Sequence, residues 1–187
     1  MGKIVVTEFV SLDGVIQAPG GGEEYEHAGW SFKFDRGDDG DKFKFDELVA
    51  ADAQLLGRIT FEGFAAAWPK MKDDQGFAEK MNGMPKYVVS TTLEDPEWEN
   101  STVISKDVAK QVAKLKDVYE GDILIAGSGT LVRSLMEDGL IDEFRLMVFP
   151  VVLGSGKRLF EEGTANTTLK LTDTKQVGSD GVTILTY

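Results

Sequence analysis

Short, continuous apolar runs recur along the chain, separated by stretches of helical periodicity. Ile4-Val5-Val6 with Phe9 and Val10 forms the first run, Gln54-Leu55-Leu56 the second, Tyr87-Val88-Val89 the third and Ile123-Leu124-Ile125-Ala126 the fourth. None alternates apolar with polar positions, the mark of a strand that faces water on one side. Both faces of these strands are therefore expected to be covered, as in a parallel sheet joined by crossover helices.

Three helices are expected between and after the runs. Residues 41–53 carry Phe45, Leu48 and Val49 on one side, and residues 106–117 place Val108, Val112 and Leu115 at i, i+4, i+7, with Ser105 as N-cap. Residues 129–138 carry Leu131, Val132, Leu135 and Met136, and Gly139 follows as a left-handed C-cap. Phe144 to Leu153 is a long apolar run through Pro150 that breaks at Gly154-Ser155-Gly156. Leu169/Leu171 and Val182/Ile184 alternate with polar residues on either side of Gly178-Ser179-Asp180-Gly181, an antiparallel hairpin that finishes the sheet. With no internal repeat and no linker, one α/β domain spans residues 1–187. Residues 11–40 and 66–84 carry prolines and glycines without periodicity, and read as active-site lids or as surface loops.

Charge narrows the function. The chain has 20 basic and 32 acidic residues, a net charge of −12, which excludes the basic face a nucleic-acid partner needs. No apolar run approaches the roughly 18 residues of a membrane span, and the N-terminus reads as a first strand and not as a signal peptide, so a cytoplasmic protein is expected. The absence of cysteine excludes disulfides and thiolate metal sites. In so acidic a molecule, a phosphorylated ligand needs local positive potential. Single arginines and helix N-termini are where it can come from.

Two strand-to-helix corners offer it. In Leu55-Leu56-Gly57-Arg58-Ile59-Thr60 a buried strand meets a glycine, a guanidinium and a threonine placed to cap a helix. In Ile125-Ala126-Gly127-Ser128-Gly129-Thr130-Leu131 a second strand runs through glycines into a helix. Val132 stands where a Rossmann fingerprint needs its third glycine, and no Walker lysine follows. Either corner alone reads equally as a tight turn. Together they point to the phosphates of a dinucleotide.

Gly57-Arg58-x-Thr60, Val89-Ser90-Thr91 and Ile125-Ala126-Gly127-Ser128-Gly129 occur in the order and spacing of the dihydrofolate reductase superfamily, which the chain resembles over nearly its whole length. Ser11-Leu12-Asp13-Gly14-Val15-Ile16, Asp142-Glu143-Phe144-Arg145-Leu146 and the block Pro150 to Phe160 look closer to one branch. That branch is the reductase domain of bacterial riboflavin-biosynthesis deaminase-reductases and its stand-alone relatives. The resemblance implies a dihydrofolate-reductase-like three-layer αβα fold, with a mostly parallel central sheet and an antiparallel C-terminal hairpin. It implies NADPH lying across the strand ends, and a homodimer. Arg58 and Thr60, beside Gly57, would hold the adenosine-side phosphates, and Ser90 and Thr91 the 2′-phosphate. Ala126, Gly127, Ser128, Gly129, Thr130 and Leu131 would wrap the pyrophosphate. The backbone at Val15-Ile16 would face the nicotinamide.

A proton donor is harder to place. Asp13, beside the expected nicotinamide face, is the candidate acid, and it reads also as part of an Asp-Gly turn. Folate enzymes carry an acid on their first helix; Asp41 lies near that position and reads equally as an N-cap. His27, the one histidine, is either a donor or an exposed loop residue. Trp30, with Phe32 and Phe34, forms either an aromatic wall over a planar substrate or part of the core. Setting Gly40 as the sixth position of a calcium loop puts Gly37 third and Asp46 twelfth, so two ligands fail and a solvated acidic loop is expected. The run 144–153 could serve a dimer interface or a central strand. The sequence is thus read as an NADPH-dependent reductase of a small heterocyclic or carbonyl substrate. The alternative is a non-catalytic nucleotide-binding or dimeric assembly module on the same fold.

Overall fold

The computed structural model describes all 187 residues. The four apolar runs become β1 (Ile4–Ser11), β2 (Ala51–Gly57), β3 (Lys86–Val89) and β5 (Asp122–Ala126). Between β3 and β5 a short strand, β4 (Ser101–Ile104), is added, and β6 (Glu143–Phe149), β7 (Asp173–Val177) and β8 (Val182–Thr186) complete the sheet. The helices are α1 (Gly37–Ala50), α2 (Arg58–Ala67), α3 (Phe77–Gly83), α4 (Val108–Val118) and α5 (Gly129–Glu137). All eight strands form one sheet in the order β4-β3-β2-β5-β1-β6-β8-β7. The first six are parallel, and β8 pairs antiparallel with both β6 and β7.

Both faces of the central strands are covered, as their continuous apolar runs require. Ile4, Val6 and Val10 of β1 pack with Val112 and Leu115 of α4 and with Leu131, Val132 and Leu135 of α5. On the opposite face Val5, Leu56 and Val88 meet Leu48 of α1, Phe61 of α2 and Met81 of α3. This is the three-layer αβα arrangement. Beyond β1 a third cluster gathers around Phe149, with the rings of Phe9, Trp30 and Phe34 edge-on at 5.3, 5.4 and 5.9 Å.

Several elements depart from the sequence pattern. α1 starts at Gly37, four residues early, because the Asp35 carboxylate accepts the Gly37 N–H (2.8 Å) while Asp180 accepts that of Asp35 (2.7 Å). It stops at Ala50, since Ala51 is drawn into pairing with Asp122. Val49 is exposed, and the buried side chain next to Leu48 is Glu47. Ser105 is not a cap; α4 follows Asp107, which has φ of 50°. The stretch 66–84 holds α3, whose first turn is capped by Asp73 through the N–H groups of Phe77 and Ala78. The hairpin's first strand is β7, after Leu169 and Leu171, because its register is set by Val177 opposite Val182 across the turn. Phe144 to Phe149 is an interior strand between β1 and β8.

The loop after β1 is strapped to the loop after β6. Leu12 N–H donates to Val151, Ile16 N–H to Lys157 and Leu159 N–H to Gly14 (2.8–3.0 Å). Asp13 closes the strap. Its Oδ1 accepts from the Ser11 hydroxyl (2.6 Å) and Leu153 N–H (3.1 Å), and its Oδ2 from Gly154 N–H (2.8 Å), with the Arg158 guanidinium at 3.4 Å.

Two outcomes follow from this packing. Gly178 has φ of 65°, and a Cβ there would lie 2.1 Å from the Asp35 carbonyl oxygen. Gly178→Ala is therefore expected to lower stability by at least about 2 kcal/mol in urea unfolding, by pushing the hairpin turn off the start of α1. Asp13→Asn is expected to cost about 1–3 kcal/mol at neutral pH, since the strap's donors lose their charged acceptor. The Asp13 carboxyl is held below its ordinary range, so its contribution is complete above the unfolded value of about 4 and is lost as pH falls below that. Melting curves of wild type and Asp13→Asn should thus converge in acid.

Candidate functional site

Parallel strands present their carboxyl ends along one edge, and ligands of open α/β sheets collect there. Four neighbouring strands, β3-β2-β5-β1, end in Ser90, Arg58, Gly127 and the loop bearing Ile16. Gly57 pairs with Val89 and Gln54 with Leu124, so β3, β2 and β5 end nearly level, while β1 runs on past Thr7, the partner of Ala126, to Ser11. At about 4.8 Å per strand the row spans roughly 14 Å, a length suited to an extended dinucleotide.

The two corners at its centre are joined directly. Gly57 N–H donates to Ser128 Oγ (2.9 Å), and Ser128 N–H donates to Thr60 Oγ1 (3.1 Å). Thr60 is therefore not the cap of α2; it lies in the first turn and ties α2 to α5. Gly127 (φ 59°) permits this approach, because a Cβ there would lie 2.9 Å from Thr60 Oγ1. Neither helix has a side-chain cap. First-turn N–H groups lack intrahelical acceptors, so two positive helix ends meet at one place in an acidic molecule. An anionic phosphate fits this arrangement, with the N–H groups from Gly129 to Leu131 and the Arg58 guanidinium to hold it.

Each expected residue has a definite place. Arg58 is half-exposed and paired with Glu62 (3.0 Å), so its guanidinium is turned back along α2. Ser90 is buried, and its oxygen accepts the N–H groups of Thr92 (3.1 Å) and Leu93 (3.0 Å), while Thr91 is exposed beside it. Ala126 ends β5, and Thr130 Oγ1 lies 3.3 Å from the Arg133 guanidinium. Ile16 and Leu131 are buried in the core between β1 and α5, with Ile16 Cδ1 3.0 Å from where a Cβ of Gly129 would stand.

The candidate acids fare differently. Burial raises the Asp13 carboxyl, but the Ser11 hydroxyl and the Leu153 and Gly154 N–H groups outweigh this and hold it well below the usual carboxylate range. As a hydrogen-bonded carboxylate, Asp13 straps the loop after β1 to the loop after β6. Asp41 is exposed and bound to Arg36 Nε (2.5 Å); it lies inside α1 and caps nothing. His27 lies against Glu26 (3.4 Å) and edge-on to Tyr25. Trp30 is 1% exposed and donates its indole N–H to the Gln17 carbonyl (2.8 Å), so it belongs to the core and offers no wall to a substrate. The segment 35–46 is helical from Gly37 onward and forms no calcium loop.

A polar cluster outside the motifs of the sequence lies under α1. Thr7 donates to Glu47 Oε1 (2.7 Å) and accepts from Lys44 Nζ (2.7 Å), Lys44 pairs with Glu47, and Arg145 Nη1 stands 3.9 Å from the same carboxylate. Phe9, next on this face, has Arg36 and Lys44 over its ring at 5.1 and 5.2 Å. On the other face of β1 lies Glu8, 4% exposed, with Oε1 lacking any partner. Burial pushes this carboxyl well above its ordinary value, against the lowering effects of the Gly127 N–H and Lys44. The signal was present: Thr7-Glu8 interrupts an otherwise apolar strand covered on both faces.

Comparison with known proteins places this geometry. Two proteins of Bacillus subtilis (strain 168), both uncharacterised, are similar throughout. YwjB is 34% identical over 176 residues, 94% of this chain and 92% of its own, and YyaP is 31% identical over 187 residues, 98% and 93%. Among solved structures, a Shewanella sp. PV-4 protein provisionally described as a riboflavin biosynthesis protein superposes with a TM-score of 0.78 at 22% identity, covering 100% of this chain and 98% of that one. Dihydrofolate reductase from Enterococcus faecalis, in complex with NADP(H), gives 0.61 at 16% identity, covering 100% and 95%. RibD from Acinetobacter baumannii gives 0.62 at 20%, covering 100% of this chain and 57% of the longer protein. These three share the fold. The family model described as the RibD C-terminal domain matches residues 2–183, and the chain belongs to that family.

Proposed function

We propose that this protein binds NADPH along the β3-β2-β5-β1 edge and reduces a small heterocyclic or carbonyl-bearing substrate. The observation that carries the reading is the pair of uncapped helix N-termini, α2 and α5, bonded to each other through Gly57, Thr60 and Ser128. A dinucleotide pyrophosphate is the ligand whose charge and length suit them. That an enzyme of this fold is known in complex with NADP(H) supports the choice. When bound, the dihydronicotinamide supplies the hydride.

The chain's own residues bind and orient. The α2 and α5 termini offset phosphate charge, and Arg58 exchanges Glu62 for the ligand. Ser90 can donate its hydroxyl proton while its oxygen keeps the β3 turn in place. The Asp13 strap holds the loop of Val15 and Ile16 against Gly129, where the nicotinamide would meet the protein. The α1 face of β1, with Phe9 flanked by Arg36 and Lys44, is the substrate side. Asp13 remains ionised and does not supply the proton that accompanies hydride.

The alternative, a nucleotide-binding module without turnover, draws on that same ionised Asp13, and the tests separate the two. Arg58→Ala is expected to weaken NADPH binding about tenfold, the loss of one charge-assisted contact, with little change in melting temperature, because its partner Glu62 is at the surface. Gly127→Ala should weaken binding more, since its Cβ would push Thr60 away from Ser128. Titration of tryptophan fluorescence with NADPH and NADH reads both. Unchanged affinity in both variants would remove the corner from the reading. NADPH oxidation with a panel of N-heterocycles and carbonyl compounds then distinguishes reductase from binding module.

A further inference from the structure

β1 alternates two faces along its length. Thr7 and Phe9 look toward α1, where they meet Glu47, Lys44 and Arg36, and Val6 and Val10 pack under α5. Glu8 lies between Val6 and Val10 and so points the same way, beneath the Gly127-Ser128-Gly129 turn. A long acid in that position is costly. It is 4% exposed, its Oε1 has no partner in the protein, and the register that sets Thr7 beside Ala126 brings it next to Gly127, whose N–H favours the charged form.

Other charges do not resolve the situation. Lys44 and Glu47 bear on Glu8 with opposite sign, and they are committed to each other and to Thr7 on the far face. At the α5 corner Arg133 is held by Glu161 (3.0 Å) and Arg158 by Asp13 (3.4 Å). Thus no cation is free to neutralise an ionised Glu8. Burial favours the protonated acid, and the helix end above it stays available to an outside anion.

We infer that Glu8 is a charge-regulating residue of the phosphate corner: an anion seated on the Gly127 turn requires its carboxyl to be neutral, so NADPH binding is coupled to proton uptake by Glu8. The inference rests on the cofactor reading above. Ionised Glu8 and a bound pyrophosphate would place two anions on the two sides of one glycine turn. The bound anion therefore raises the affinity of Glu8 for a proton taken from solvent. By linkage, NADPH affinity falls as pH rises through the titration of Glu8 in the free protein. The cofactor's own 2′-phosphate has the opposite tendency, gaining charge as pH passes about 6. Glu8→Gln keeps the shape and removes the titration.

The test is NADPH affinity of wild type and Glu8→Gln from about pH 6 to about pH 9. The wild-type Kd, relative to that of the variant, is expected to rise by about tenfold or more across the range. A merely structural Glu8 would shift Kd equally at every pH. Parallel profiles with binding intact overturn the coupling alone, and a wild type that binds no NADPH at any pH overturns the cofactor reading together with it. Should Glu8→Gln fail to fold, calorimetry on wild type in two buffers of different ionisation enthalpy decides the matter. Net proton uptake on NADPH binding within that range supports the coupling, and release or no exchange at every pH overturns it.

Discussion

The hydrogen bonds between Ser128 and the β2–α2 corner are the constraint on which the rest of this molecule's chemistry depends. A serine in the left-handed region, preceded by a glycine in the same region, turns its hydroxyl to Gly57 and its N–H to Thr60. Two helices that begin on different strands thereby start at one point. A helix end contributes about half a unit charge, too little to hold an anion against a net charge of −12. Two ends converging with a guanidinium nearby make a local field the surface average would never suggest. The arrangement also accounts for what the corner lacks. Side-chain caps would have consumed the N–H groups, and the threonine placed to cap α2 is committed to α5.

A second constraint is the pair of polar residues in the middle of β1. A strand covered on both faces has nowhere to put Thr7 and Glu8 except inside. Their fates differ because the two faces differ. Under α1, Thr7 finds Glu47, Lys44 and Arg145, and the whole group is satisfied. Under α5, Glu8 is buried with an oxygen that has no partner. One residue anchors a helix to the sheet. The other remains a buried acid whose ionisation burial disfavours.

Asp13 shows how position and environment separate. It stands in the loop nearest the expected nicotinamide, the place where an acid would be useful. Four donors surround it, and they fix it as an anion that ties two loops together. The geometry of the loop bearing Val15 and Ile16 is therefore held by this carboxylate. Stability and site architecture share that carboxylate.

The parallel strands, the convergence of Gly57-Arg58 with Gly127-Ser128-Gly129, and membership of the RibD C-terminal family were all legible in the chain, because each rests on local pattern: apolar runs, glycines at strand ends and motif spacing. The start of α1, the strand β4, the helix α3 and the register of β7 were not. These elements are set by partners distant in sequence or by a cap outside the expected position, such as Asp180 on Asp35, the edge of β3, Asp73 beneath Phe77, and Val182 opposite Val177. The burial of Trp30, the ionisation of Asp13 and the isolation of Glu8 belong to the same class. A side chain's protonation and accessibility depend on what folds over it, and the sequence names those neighbours without saying which will meet.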